Sequence, residues 1–148
     1  MDRLQVLALL TMAAAVAGHA DAQGWGAENP GTRVGVSVEV EGRRSPLYPA
    51  PDSDRFYLEA RAGARYSVTL TNRTRERLGV VLTVDGLNAI SGQRDTGMGR
   101  MYVLGPWEQT TVQGWRSSLA DVRQFTFVDE RSSYAARAGK ANGHLGWI

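Results

Sequence analysis

Valine occupies every second position from Val34 to Val40, and Arg33, Gly35, Ser37, Glu39 and Glu41 lie between, which is the period-two pattern of a strand with one buried face. Segment 32–41 is thus the clearest strand in the chain. Phe56, Leu58 and Ala60 alternate with Tyr57 and Glu59, and beyond an Ala62-Gly63-Ala64 turn Tyr66, Val68 and Leu70 alternate with Ser67, Thr69 and Thr71. These two runs are expected to pair as a hairpin. Segment 78–84 is apolar on both faces, with Val80, Leu82 and Val84 on one and Val81 on the other. It is expected to be a central, covered strand that gives the core more than any other run of its length, at about 1.5–3 kcal/mol per fully buried Val or Leu.

Asp85-Gly86 then supplies the positive-φ positions of a tight turn. The glycine-rich segment 92–100 reads as a mobile, solvated loop, and it lacks the Gly-Lys-Ser/Thr ending of a phosphate loop. Segments 101–104 and 109–114 read as a hairpin around Pro106-Trp107-Glu108, Phe125 and Phe127 mark another strand, and 145–148 begins a last one. Two pieces change period. In 115–123, Ser118 is placed as an N-cap with Leu119 and Val122 on one face, and in 132–138 a capped piece ends at Gly139. The whole predicts an all-β fold, an antiparallel β-sandwich of immunoglobulin-like size with about seven or eight short strands and two short helical insertions.

The region ahead of this pattern reads differently. Arg3 is followed by an apolar run over 4–18 and by Ala20-Asp21-Ala22, the layout of a secretory signal peptide with cleavage expected before Gln23. The run is shorter than the roughly 20 residues of a permanent membrane helix. No second long apolar segment follows, so no membrane span is expected after cleavage. The organisation expected is therefore a signal peptide at 1–22, a flexible leader at 23–31 from which Trp25 docks onto the domain, and one β domain at 32–148.

Composition narrows the chemistry. There is no cysteine, so this exported domain must rely on packing and strand pairing in place of disulfides. The formal charge of +2 is too small to argue for nucleic acid. Of 17 basic residues only Lys140 is lysine. Asn72-Arg73-Thr74 fits a glycosylation sequon, but in a bacterial protein, as the leader and the arginine bias suggest, it is simply a loop.

Taken together, Val84-Asp85-Gly86-Leu87-Asn88, Tyr102-Val103-Leu104, Gly114-Trp115-Arg116, Phe125-Thr126-Phe127 and Ser133-Tyr134-Ala135 resemble a bacterial group of exported β domains of uncharacterised function, in which these phrases recur in this order. The likeness covers 56–148 and rests on the ordered set, since no single phrase is specific. It implies a compact β domain and carries no catalytic residue across. Members of the group continue past the position of Ile148 with another apolar strand, so the resemblance implies a missing last strand and an open sheet edge.

Candidate chemistry is sparse. Past the signal peptide His144 is the one histidine, so neither a zinc set nor a Ser-His-Asp triad can be assembled convincingly, and no cofactor is implied. Asp85, Asp95, Asp121, Asp129 and Glu130 leave paired-carboxylate chemistry open. Asp85, Asn88 and Ser91 do not reproduce a calcium loop. The expectation is a non-catalytic exported domain, periplasmic or extracellular, that binds a protein or cell-envelope component. Its candidate binding residues are Asp85, Asn88, Trp107, Trp115 and Arg116. The alternatives are a small glycan-directed hydrolase using carboxylates around Asp85 and Asp95, or a carbohydrate-binding module using aromatic side chains.

Overall fold

The structure, a computed structural model, describes residues 28–29, 33–116 and 122–148. The expected signal peptide, Trp25 and the expected helical turn around Ser118 lie outside the described residues. The described chain is mostly β. In order, its strands are β1 (Glu28–Asn29), β2 (Val34–Val40), β3 (Arg43–Arg44), β4 (Tyr48–Pro49), β5 (Phe56–Tyr57), β6 (Arg65–Asn72), β7 (Leu78–Val80), β8 (Thr83–Val84), β9 (Leu87–Asn88), β10 (Tyr102–Leu104), β11 (Gln109–Val112), β12 (Gly114–Arg116) and β13 (Val122–Thr126). A 3-10 turn (Glu130–Ser132) and a one-turn helix, α1 (Tyr134–Arg137), follow.

All pairings are antiparallel, and β6 is the strand on which the main sheet is built. One edge of β6 pairs with β2 along its length, from Val34↔Asn72 to Val40↔Tyr66. The other edge is shared. Its start takes β13 through Phe125↔Tyr66, and its later residues take β11 from Val112↔Val68 to Gln109↔Thr71. Because directly opposed residues share a face, Val38, Val68 and Val112 form one apolar row and Val40, Tyr66 and Phe125 the next. Val68 and Leu70 are 0% and 1% exposed, so this strand, and not 78–84, contributes the most deeply buried run.

That is a correction to the expected centre. Segment 78–84 divides into β7, which pairs with β10, and β8, which pairs with β9, and of its apolar residues only Leu82 and Val84 are buried. Burial follows the number of strands flanking a segment, and β6 has neighbours on both edges. The two expected hairpins are corrected for the same reason. Phe56–Tyr57 pairs with Tyr48–Pro49 instead of β6, whose edges are already filled, and the Ala62-Gly63-Ala64 turn is held against β13 by Gly63 N donating to Phe127 O at 2.7 Å. Likewise β10 pairs with β7 while β11 pairs with β6, so the turn at Gly105 carries the chain from one sheet to another.

Smaller differences share this origin. Within the expected leader, Glu28–Asn29 pairs with Ser37 and Val36 on the open edge of β2. Segment 115–123, read as helical, begins and ends as strand, with Trp115↔Arg123 and Arg116↔Val122 paired. Residues 145–148 form a turn and tail in place of a strand. Loop 92–100 is tied down, since Asn88 N donates to Gln93 O at 2.9 Å, Asp95 N to Gly86 O at 3.2 Å, and Lys140 Nζ to Gly92 O at 2.7 Å. Most of its residues are nonetheless exposed, Met98 at 89%.

Other expectations hold locally. The strand at 34–40 is present, and Asp85 and Gly86 have φ of 54° and 72°, the two positive values that a two-residue hairpin turn requires. Ser133 caps α1, its Oγ accepting from Ala136 N at 3.1 Å. Among the described residues no helix is long and apolar enough to cross a membrane.

Candidate functional site

The five residues singled out from the sequence are dispersed. Asp85 sits in the β8–β9 turn, where the C-terminal segment clasps it. Its Oδ1 accepts from Gly146 N at 2.7 Å, its backbone N donates to Trp147 O at 2.9 Å, and its carbonyl accepts from Asn142 Nδ2 at 2.9 Å. Asn88 is 1% exposed and wholly engaged, its Oδ1 accepting from Ile90 N and Ser91 N and its Nδ2 donating to Arg100 O at 2.7 Å. Asn88 therefore pins both ends of loop 92–100. Trp115 is a buried core residue, edge-on to Phe125 at 5.4 Å and stacked on Tyr134 at 4.9 Å. Trp107 lies exposed in the turn after β10 with φ of 60°. Arg116 is exposed at the end of β12, where its charge partly offsets the burial that pushes the Tyr102 hydroxyl up from its ordinary range.

Of these, Asp85 and Trp115 come together, in a cleft of about 460 Å³ between β13 and α1. The fold builds this cleft from strand alternation. Arg123 and Phe125 are two apart on β13, and Arg123 is paired with Trp115 on β12, so all three project to one face. Tyr66 reaches the same face from β6 and stacks against Phe125 at 5.2 Å and Phe127 at 4.3 Å. From the opposite side α1 supplies Tyr134 and Arg137. The wall is aromatic, and among the described residues Arg123 and Arg137 line it as cations.

Tyr66, Arg123, Tyr134 and Arg137 were missed by sequence reasoning. Arg123 had a signal, its position two residues before Phe125, but the helical period read over 115–123 concealed it. The other three had none, because only the tertiary fold brings β6 and α1 to β13.

Burial, and secondarily the nearby Asp85 carboxylate, raise the Tyr66 hydroxyl well above the ordinary phenol range. The group is protonated in both folded and unfolded chains below about pH 10, so its contribution to stability is fully present there. Above that pH the unfolded chain releases the proton first, and stability falls. Urea midpoints of the wild type and Tyr66→Phe should therefore separate progressively as pH rises past about 10, with the wild type losing more. Parallel loss in both proteins would remove this coupling.

The carboxylates available for catalysis are partly committed. Asp85 Oδ1 accepts from Gly146 N, and Asp95 Oδ2 accepts from Gly97 N at 3.2 Å. Asp129 caps the 3-10 turn, and its hydrogen bonds from Ser132 hold its carboxyl below the usual range. Among the described residues no three His, Cys, Asp or Glu side chains form a group that could hold a metal ion. No family model, curated protein or solved structure matches the chain.

Proposed function

We propose that the chain is an exported, non-catalytic binding domain that holds a protein or cell-envelope component in the cleft between β13 and α1. The observation that carries this reading is the cleft itself, an aromatic-walled concavity lined, among the described residues, by the guanidinium groups of Arg123 and Arg137. Export is supported by the apolar run at 4–18 followed by Ala20-Asp21-Ala22, and it agrees with the resemblance to bacterial exported domains. The fold is read as a β-sandwich. In support, β8, β9 and β10 contribute Val84, Leu87 and Leu104 to the same core cluster as Val38, Val68 and Leu70 of the main sheet.

Site-directed photocrosslinking tests the reading. Val128 lines the cleft and is 46% exposed, whereas Arg75 is exposed in the loop after β6, away from the cleft-lining set. A photoreactive residue at position 128, introduced into the chain in its native cells, should give a discrete adduct in the exported fraction. The same residue at position 75 should give none. Equal adducts from both positions, or none from position 128, would overturn the assignment of the cleft.

A further inference from the structure

We propose that the group recognised in this cleft is an oxyanion, a carboxylate or a phosphate, carried next to an apolar moiety and held by Arg123 and Arg137 while that moiety lies against the Trp115–Tyr134 wall. The inference rests on the reading of the cleft as a binding site and adds the chemistry of its ligand.

The argument begins with the register of β13. Strand pairing places Arg123 opposite Trp115 and two residues before Phe125, on a face whose other members are buried apolar side chains. Arg123 itself is exposed, so its guanidinium is solvated beside that wall and can be reached by an incoming anion. Among the described residues the guanidinium groups of Arg123 and Arg137 have no hydrogen-bond or ion-pair partner, and the salt bridges there are Arg33–Glu76 and Arg65–Glu41. Among the described residues the acid that lines the cleft is Asp85, and its Oδ1 accepts from the backbone of Gly146. Two exposed cations thus line a cleft in which Asp85, the acid among its described lining residues, is already engaged.

Guanidinium forks match carboxylate and phosphate oxygens bidentately, and an aromatic wall strengthens such bonds by excluding water. Tyr66 adds a neutral donor, since its hydroxyl makes no hydrogen bond within the described residues and stays protonated at ordinary pH. The flanking Ser133 Oγ is not available in the same way, being the cap of α1.

The test titrates the mature chain with phenylacetate, phenyl phosphate and the neutral phenylacetamide, read by amide chemical shifts and tryptophan fluorescence. Both acids, or one of them, should shift Arg123, Trp115, Tyr134 and Arg137. The amide should bind about tenfold more weakly or worse, the loss expected for one charge-assisted hydrogen bond. Arg123→Gln and Arg137→Gln should each weaken the acids by about tenfold while leaving the urea midpoint unchanged, since both side chains are exposed. The ratio between the two acids assigns carboxylate or phosphate.

Three outcomes overturn the proposal. Equal binding of acid and amide, or acid binding that survives both substitutions, would do so and would leave the cleft standing as a binding site. Absence of any shift would do so as well, and the adduct at position 128 then separates the two readings. An adduct that persists keeps the site and rejects the anion, and a missing adduct rejects both.

Discussion

Gly114→Ala is expected to destabilise the domain by about 3 kcal/mol or more and to dismantle the cleft with it. Gly114 begins β12 at the point where the chain leaves β6 and crosses to β13, with Phe125 N donating to Gln113 O at 3.0 Å just before it. A Cβ at this position would overlap the carbonyl oxygen of Arg123 and lie 2.5 Å from its carbonyl carbon and 2.7 Å from Gln124 Cα. These are backbone atoms of the paired strand, so no side-chain rotation relieves the overlap. The two strands must separate, and they carry Trp115, Arg123 and Phe125. Total stability for a domain of this size is about 5–15 kcal/mol, so the loss should be visible as a lowered urea midpoint together with weakened near-UV circular dichroism from the tryptophans.

Gly79→Ala is the matched control. There the added Cβ meets Met101 Sδ, part of a flexible and half-exposed side chain that can move aside. Its cost should stay below about 1 kcal/mol. If Gly114→Ala costs no more than Gly79→Ala, the close approach of β12 to β13 is not a constraint on this fold.

The second large effect is expected at Asn72, which is 0% exposed at the end of β6. Its Oδ1 accepts from Thr74 N at 2.9 Å and Thr74 Oγ at 2.8 Å. Its Nδ2 donates to Glu76 O and Gly105 O, both at 2.7 Å, with a longer approach of 3.3 Å to Leu104 O. One amide therefore closes the loop after β6 and fastens it to the turn that carries the chain from β10 to β11. Asn72→Ala takes from the Thr74 N–H donor and the Gly105 carbonyl their partner in a part-buried setting, at about 1–3 kcal/mol each before relaxation. A net loss of about 3–5 kcal/mol is expected. Asn72→Asp should recover little, because it keeps the acceptor for Thr74 and turns a negative oxygen toward the two carbonyls. Thermal or urea unfolding of both variants checks this, and a loss below about 1 kcal/mol in Asn72→Ala would refute the hub role.

The same environment answers the sequon. The Asn72 amide nitrogen is buried and committed to carbonyls, so in the folded domain Asn72-Arg73-Thr74 presents no exposed acceptor. The motif marks a loop closure built from an asparagine and a threonine. Asn88 repeats the device between the β8–β9 hairpin and loop 92–100, and this is why a residue singled out for binding is found holding the backbone.

What was legible in the sequence was local. Alternation in 34–40 and 66–70 identified two strands and their faces, since side-chain direction in an extended chain is fixed by adjacent residues alone. Asp85-Gly86 specified its turn and Ser133 its cap for the same reason, because each needs only a few neighbouring backbone groups. Partner choice was not legible. Phe56–Tyr57 carries a pattern fit for β6 but pairs with β4, and 78–84 has the composition of a central strand without the neighbours of one. Backbone hydrogen bonding is the same for every sequence, so pairing is selected by which edges the rest of the fold leaves open.

The cleft follows the same division. The sequence by itself determined that Phe125 lies in a strand and that Tyr134 lies in a short capped helical piece, while it placed Trp115 and Arg123 in a segment of helical period. Only the tertiary structure decided that Tyr66 joins them, that Arg123 and Arg137 line one cleft of about 460 Å³ and that Asp85 is occupied by Gly146. A residue's face is a property of its own segment, whereas a concavity and the absence of a counter-charge within it depend on every segment that could have filled it.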